Sequence, residues 1–433
     1  MKDVFPDTAR VVDGHLVIAG CDAADLADRF GTPVIVVDRA TLEGRAKAFT
    51  SVVAPDHIYY AGKAFCCVGI LEVVRDLGLS LDVCSGGELT TAVTAGFPTE
   101  RIIFHGNNKS EVELQMAHEA GVGRIVADSF DELDRIERLG VETDLLLRLT
   151  PGVEAHTHEF VQTGQEDSKF GFTLGSGIAL DAVRRALEIP GCSLVGVHAH
   201  IGSQIFELTA FDLAIERLAD FLVAAKERFG LTIREINLGG GLGIAHTRDE
   251  TTPDPAEAGE RLLSTVSSLF AERGLTVPEV FLEPGRALIG SSAVTLYRIG
   301  TIKKIPGVRT YVSVDGGMSD NIRPALYGAR YEARIATRMD AEEGPRVTVA
   351  GKHCESGDLL IRDAHLPEDV AVGDLLVIPA TGAYTYAMAN NYNRIPRPPV
   401  VMVADGAATE IVRRETYNDV LRLDRHADGS PIA

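Results

Sequence analysis

The chain has 433 residues, 45% hydrophobic and 24% charged, which are ordinary globular values, and its length exceeds what one hydrophobic core usually fills, so two domains are expected. Lys and Arg number 42 against 62 Asp and Glu, a net charge of −20 that repels nucleic-acid backbones and anionic lipid. No apolar run reaches the roughly 18 residues of a membrane span, so neither nucleic acid nor a membrane is an expected partner.

The start, Met-Lys-Asp-Val-Phe-Pro, lacks a signal-peptide pattern. The cysteines at 21, 66, 67, 84, 192 and 354 show no Cys-x-x-Cys spacing, so a reducing cytoplasm is expected rather than a disulfide framework. Segments 12–18 and 33–37 are strand-like. From about residue 40 a repeat begins. Short aliphatic runs at 57–61, 80–83, 101–104, 124–127, 144–149, 193–199, 234–238 and 279–282 each lead into Gly, Ser or Asn and then a helical pattern. Helical spacing is plain at 87–95 and 211–224, and Cys66-Cys67 reads as core on the first helix. Strand then helix, eight times, predicts an α/β chain with a TIM-like (β/α)8 barrel over 40–290. Insertions fall at 151–171 and 247–255, and the first has the length and glycines of a lid. After 290 the runs 294–302, 310–314, 346–350 and 374–379 turn β-rich. They predict a C-terminal β-sandwich or barrel domain of residues 291–433 that also takes in residues 1–39.

Active sites of such barrels lie at the C-terminal strand ends. Those ends carry Lys63 between Gly62 and Ala64, then Ser85-Gly86-Gly87-Glu88, His105 to Lys109, Asp128, Arg148, His198-Ala199-His200 with Ser203, Gly239-Gly240-Gly241, and Glu283-Pro284-Gly285-Arg286. Polar loops alone do not explain a Lys, two His, a Glu and an Arg all at strand ends. The triple glycine lacks dinucleotide-fingerprint spacing, but with Arg286 it suits a phosphate held by backbone N–H groups. Lys63 has the setting of a Schiff-base lysine, with a plain surface lysine as the alternative, while Lys109 and Lys169 look like exposed loop residues. A metal at His198 and His200 is the minority reading, since no matching ligand set surrounds them, and no metal is expected. Beyond the barrel, Asp315-Gly-Gly-Met318, Arg323-Pro-Ala-Leu-Tyr327, Cys354-Glu-Ser-Gly-Asp358 and Gly382-Ala-Tyr384 supply an Arg, acids and proton donors.

Together with Tyr60-Ala-Gly-Lys63, Asp82-Val-Cys-Ser, Phe104-His-Gly-Asn-Asn-Lys, Ser168-Lys-Phe-Gly and His200-Ile-Gly-Ser-Gln, these motifs resemble the diaminopimelate decarboxylases over about residues 9–425. These are pyridoxal 5'-phosphate enzymes with an alanine-racemase-like barrel. The resemblance implies that Lys63 holds the cofactor covalently and His200 stacks on its ring. It implies that Ser203, the amides at Gly239, Gly240 and Gly241, Gly285, Arg286 and Tyr384 surround the phosphate, with Asp82 and Arg148 at further cofactor positions. Glu283 would keep the ring nitrogen protonated, which suits an electron sink for decarboxylation better than an arginine there would. Arg286, Arg323, Tyr327, Glu355 and Tyr384 would hold the amino-acid substrate. Cys354 would protonate the carbanion from the other subunit of a head-to-tail homodimer, bringing Ser356 and Asp358 with it. The implied reaction takes meso-diaminopimelate to L-lysine and carbon dioxide. Rival readings are a related amino-acid decarboxylase, a metal-dependent barrel hydrolase and a non-catalytic homologue. Cys84 departs from the family's usual small aliphatic residue and reads as a packing change.

Overall fold

All eight strands of the expected repeat are present in the structure, a computed structural model that describes residues 4–153 and 168–432. They are β1 (Tyr59–Ala61), β2 (Ser80–Val83), β3 (Ile102–Phe104), β4 (Arg124–Ala127), β5 (Thr143–Thr150), β6 (Cys192–His198), β7 (Glu235–Asn237) and β8 (Glu279–Phe281). Each pairs in parallel with the next. The last returns to the first: Ile58 and Leu282 form a parallel bridge, and the Tyr59 N–H donates to the Leu282 carbonyl at 2.8 Å. This closes the barrel, which is filled by Tyr59, Ile103, Val126, Leu146, Val195 and Phe281.

The helices that follow β2, β3 and β4 begin with the same local code. Ser85, Ser110 and Ser129 cap them by accepting the N–H of Glu88, Glu113 and Glu132 three residues on. The three glutamates reach back: Glu88 accepts from the Cys84 N–H, Glu113 from Ser110 and Glu132 from Asp128. The helical patterns at 87–95 and 211–224 become Gly86–Thr94 and Thr209–Phe229.

Two expectations about the barrel are corrected. Lys109 is not an exposed loop residue: it is 2% exposed, and its Nζ donates to Glu132 Oε1 at 2.7 Å and to the Gly106 and Val126 carbonyls at 2.8 Å. Its long stem folds inward because those three acceptors replace water. Lys109→Met leaves the Glu132 carboxylate buried without its cation, so a loss of about 3–5 kcal/mol in urea unfolding is expected. Cys66 and Cys67 precede the helix Val68–Asp76 rather than lying on it. They are half-buried, and burial pushes their thiols up to about 12 and about 11. All six cysteines are free thiols. Of the segment 151–171, residues 154–167 lie outside the described residues.

The chain divides into two compact units. Arg45–Gly243 and Thr252–Leu288 form the barrel unit; Met1–Gly44, Ile244–Thr251 and Ile289–Ala433 form the β unit. The β unit is built around the long strand Ala293–Ile305, which pairs antiparallel with Val34–Asp38, Arg309–Val314 and Leu375–Ile378. Val34–Asp38 also pairs in parallel with Val400–Ala404. Two apolar clusters pack this mixed sheet, one around Leu16, Val36, Leu296 and Val401, the other around Tyr297, Val312, Val349 and Leu376. The strand expected at 12–18 is a hairpin, Arg10–Val12 with His15–Ile18, because Asp13 and Gly14 turn with φ of 50° and 82°. No described helix is long and apolar enough to cross a membrane.

Candidate active site

The barrel unit gathers its polar groups at the C-terminal ends of the strands. β1 runs into the turn Gly62–Ala64, which carries Lys63. Lys63 Nζ lies 3.7 Å from Oδ2 of Asp82, a fully buried residue of β2. A Cβ on Gly62 would stand 2.9 Å from the Asp82 carbonyl, so only glycine lets this turn pass so close to β2. The Cys84 thiol faces Asp82 Oδ1 at 3.6 Å. Arg148, on β5, is buried with Nη1 3.7 Å from Asp128 Oδ1 and its guanidinium 4.1 Å from the centre of the Phe170 ring.

His200 follows β6 and accepts the Gly240 N–H on Nδ1 at 3.2 Å, which assigns a neutral ring's proton to Nε2. Burial, and then the Lys63 and Arg148 cations, push it well below the ordinary imidazole value. The glycine turn after β7 admits no side chain: a Cβ would stand 2.1 Å from the Glu283 carbonyl at Gly240 and 2.4 Å from the Gly202 carbonyl at Gly241. From the segments that follow β6 and β8, Arg286 Nη2 donates to Ser203 Oγ at 3.0 Å.

Glu283, just after β8, is 3% exposed. Its Oε1 accepts from His105 Nε2 at 2.7 Å and from Asn237 Nδ2 at 2.8 Å; its Oε2 accepts from His198 Nε2 at 3.1 Å. Burial by itself raises a carboxyl, but His105 and His198 outweigh it and hold Glu283 well below the carboxylate range. Burial pushes the His198 imidazole below its ordinary value, against the pull of Glu283. Among the described residues, His105, His198 and Glu283 bring ligand-type atoms within 4.8 Å of one another. Hydrogen bonds account for that approach, and His200 is not in the group. Sequence reasoning finds Glu283 but not the roles of His105, Asn237 and His198. The available signal was a polar residue on or beside a strand whose neighbours are aliphatic.

The β unit carries the other expected residues. Arg323 opens the short helix Arg323–Tyr327 and is 4% exposed. Its Nη1 bonds His246 Nε2 at 2.9 Å and also donates to the Tyr331 hydroxyl, two partners not read from the sequence. Tyr327 is half-buried; Cys354, Glu355 and Ser356 are exposed. Asp358, expected near substrate, is 2% exposed, and its two oxygens accept the Met318 and His353 N–H groups at 2.7 and 2.9 Å. These two bonds brace the loop. The Cys354 N–H donates to Asn393 Oδ1 at 3.0 Å, with Asn393 at φ 54°. Tyr384 is half-buried, at φ 58°.

An amine at a strand end, a neutral imidazole, a buried ionised carboxylate and a glycine turn flanked by Arg286 and Ser203 fit a phosphorylated nitrogen heterocycle with an electrophilic carbon. The amine suits the carbon and the carboxylate suits the ring nitrogen. The glycine turn suits the phosphate.

The comparisons agree with that donor set. The sequence model for "Pyridoxal-dependent decarboxylase, pyridoxal binding domain" matches residues 39–290. A diaminopimelate decarboxylase of Halalkalibacterium halodurans is 50% identical over 429 residues, covering 97% of this chain and 98% of its own. One from Bacillus subtilis is 51% identical over 419 residues, 95% of each chain. The crystal structure of a diaminopimelate decarboxylase from M. jannaschii in complex with L-lysine superposes with a TM-score of 0.90 at 34% identity, covering 98% of this chain and 99% of that one.

Proposed function

The chain belongs to the diaminopimelate decarboxylases of the pyridoxal-dependent decarboxylase family, and from that premise we infer its reaction. It releases carbon dioxide from meso-2,6-diaminopimelate and leaves L-lysine, the last step of lysine biosynthesis, with pyridoxal 5'-phosphate as cofactor. The observation that carries the chemistry is the ionised Glu283 at the barrel end that also bears Lys63. When bound, the cofactor supplies an electron sink for the charge left on the substrate carbon as carbon dioxide departs.

The chain's residues take the following parts in this reading. Lys63 anchors the cofactor, His200 lies against its ring and Glu283 faces the ring nitrogen, with Asp82 and Arg148 beside them. Ser203, the amides at Gly239, Gly240 and Gly241, Gly285, Arg286 and Tyr384 hold the phosphate. Arg286, Arg323, Tyr327, Tyr384 and Glu355 of the partner subunit hold the substrate, Arg323 meeting the distal carboxylate that ornithine and lysine lack. Cys354 of the partner subunit delivers a proton from Sγ to the carbon that has lost carbon dioxide, and its loop brings Ser356 while Asp358 braces that loop from within. The reading therefore includes a head-to-tail homodimer whose β units complete the active sites, working in the cytoplasm. Support comes from the exposure of Cys354, Glu355 and Ser356 and from six free thiols.

The test is a visible absorbance spectrum followed by carbon dioxide release from meso-diaminopimelate, L-lysine and L-ornithine in parallel. A yellow protein that prefers diaminopimelate by more than about 100-fold in kcat/KM is expected, because the analogues leave buried polar groups unpaired. Preference for ornithine or lysine overturns the substrate assignment, and a protein that stays colourless with added cofactor overturns the whole reading.

A further inference from the structure

We propose that His105, Asn237 and His198 are positioning residues that hold Glu283 as an ionised carboxylate with one acceptor position left open for the ring nitrogen of the cofactor. The inference rests on the cofactor reading above and extends it to three residues that reading leaves without a part.

An ionised carboxylate has about four acceptor positions. Among the described residues, three on Glu283 are taken: two on Oε1, by His105 and Asn237, and one on Oε2, by His198. The open position is on Oε2. The orientation of Asn237 is set independently, because its Oδ1 accepts the Gly239 N–H at 2.9 Å and a backbone N–H can only donate. Nδ2 must therefore face Glu283. The bond also ties Glu283 to the glycine turn expected to hold the phosphate. His105 and His198 pack edge to face, with ring centroids 4.7 Å apart at 63°, so each limits the other's tilt. Among the described residues His198 Nδ1 has no hydrogen-bond partner, and Glu283 is the polar group that holds Nε2 and orients this ring.

The donors come from the ends of β3, β6 and β7, while Glu283 follows β8. Four strands thus converge on one carboxylate. Each donor stabilises the charged form. A proton between Glu283 and a ring nitrogen then rests on the nitrogen, and the ring keeps the positive charge that decarboxylation needs. Removing one donor makes the carboxylate more basic and moves the proton toward Glu283.

The experiment loads wild type, His105→Leu, His105→Gln, Glu283→Gln and the Glu283→Gln/His105→Leu double variant with cofactor carrying 15N at the ring nitrogen. Each is examined by NMR, with kcat and KM measured alongside. Wild type should show a protonated ring nitrogen. His105→Leu should shift that signal toward the unprotonated position and lower kcat about 10- to 100-fold with little change in KM, the scale of outer-shell effects in other cofactor sites. His105→Gln, which keeps an N–H near the place of Nε2, should restore the signal and most of kcat. The double variant should be no worse than Glu283→Gln alone, because His105 acts through Glu283. A folded, coloured His105→Leu protein with the wild-type nitrogen signal overturns the proposal, and so do losses that simply multiply in the double variant. A wild-type protein that takes up no labelled cofactor overturns the premise instead.

Discussion

Lys63→Ala is expected to remove the visible absorbance of the loaded protein and to lower turnover by about four orders of magnitude or more, the scale seen when a covalent catalytic group is deleted. The expectation follows from where the amine stands. Lys63 is carried by a tight turn at the end of β1, beside the buried Asp82 carboxylate at 3.7 Å. Alanine deletes the nucleophile and also removes the cation from a buried acid. Lys63→Arg separates the two effects. Arginine keeps the charge beside Asp82 but stays protonated at working pH and cannot serve as the amine. Both variants should be inactive, and only Lys63→Arg should keep near wild-type stability. Activity within tenfold of wild type in either variant would remove Lys63 from the chemistry.

Cys354→Ala should lower kcat by about 10²- to 10⁴-fold, the usual worth of a positioned general acid, while the protein stays yellow. The side chain is exposed and its backbone is pinned by Asn393 Oδ1, so the substitution removes a thiol and disturbs little packing. A colourless variant would contradict the assignment. Co-expression of Lys63→Ala and Cys354→Ala chains tests the shared site directly. If Cys354 serves the partner's Lys63, half of randomly assorted dimers are mixed and each holds one intact site, so about a quarter of wild-type activity returns. If Cys354 serves its own chain, mixing recovers nothing.

Much of the fold and of the site is legible in the sequence. Eight short aliphatic runs, each followed by a polar strand end and a helical pattern, are local signals, and a parallel barrel converts them directly into a ring of side chains. Lys63, Arg148, His200, Glu283 and Arg286 are read this way, because in a barrel a strand's end is also the start of the site, whereas Asp82 comes only from the family resemblance. The serine caps at Ser85, Ser110 and Ser129 are equally local, each satisfied three residues downstream.

The contacts that the sequence leaves open join partners distant along the chain. Glu283 is held by residues 178, 85 and 46 positions away, and nothing in the neighbourhood of any of them announces the others. Lys109 looked solvated because its loop is polar, yet Glu132, 23 residues on, draws it inside. Val34–Asp38 lies between strands that begin at residues 293 and 400, a pairing that hydrophobic pattern allows but does not specify. Asp358 has the residue type of a substrate ligand, and its bonds to the Met318 and His353 amides come from the fold and not from its sequence neighbourhood. Local sequence dictates which elements form and what chemistry stands at their ends, since propensity, capping and strand-end polarity act within a few residues. Which buried charge meets which partner was left to the fold, because the cost of an unpaired charge is felt only once distant strands have closed around it.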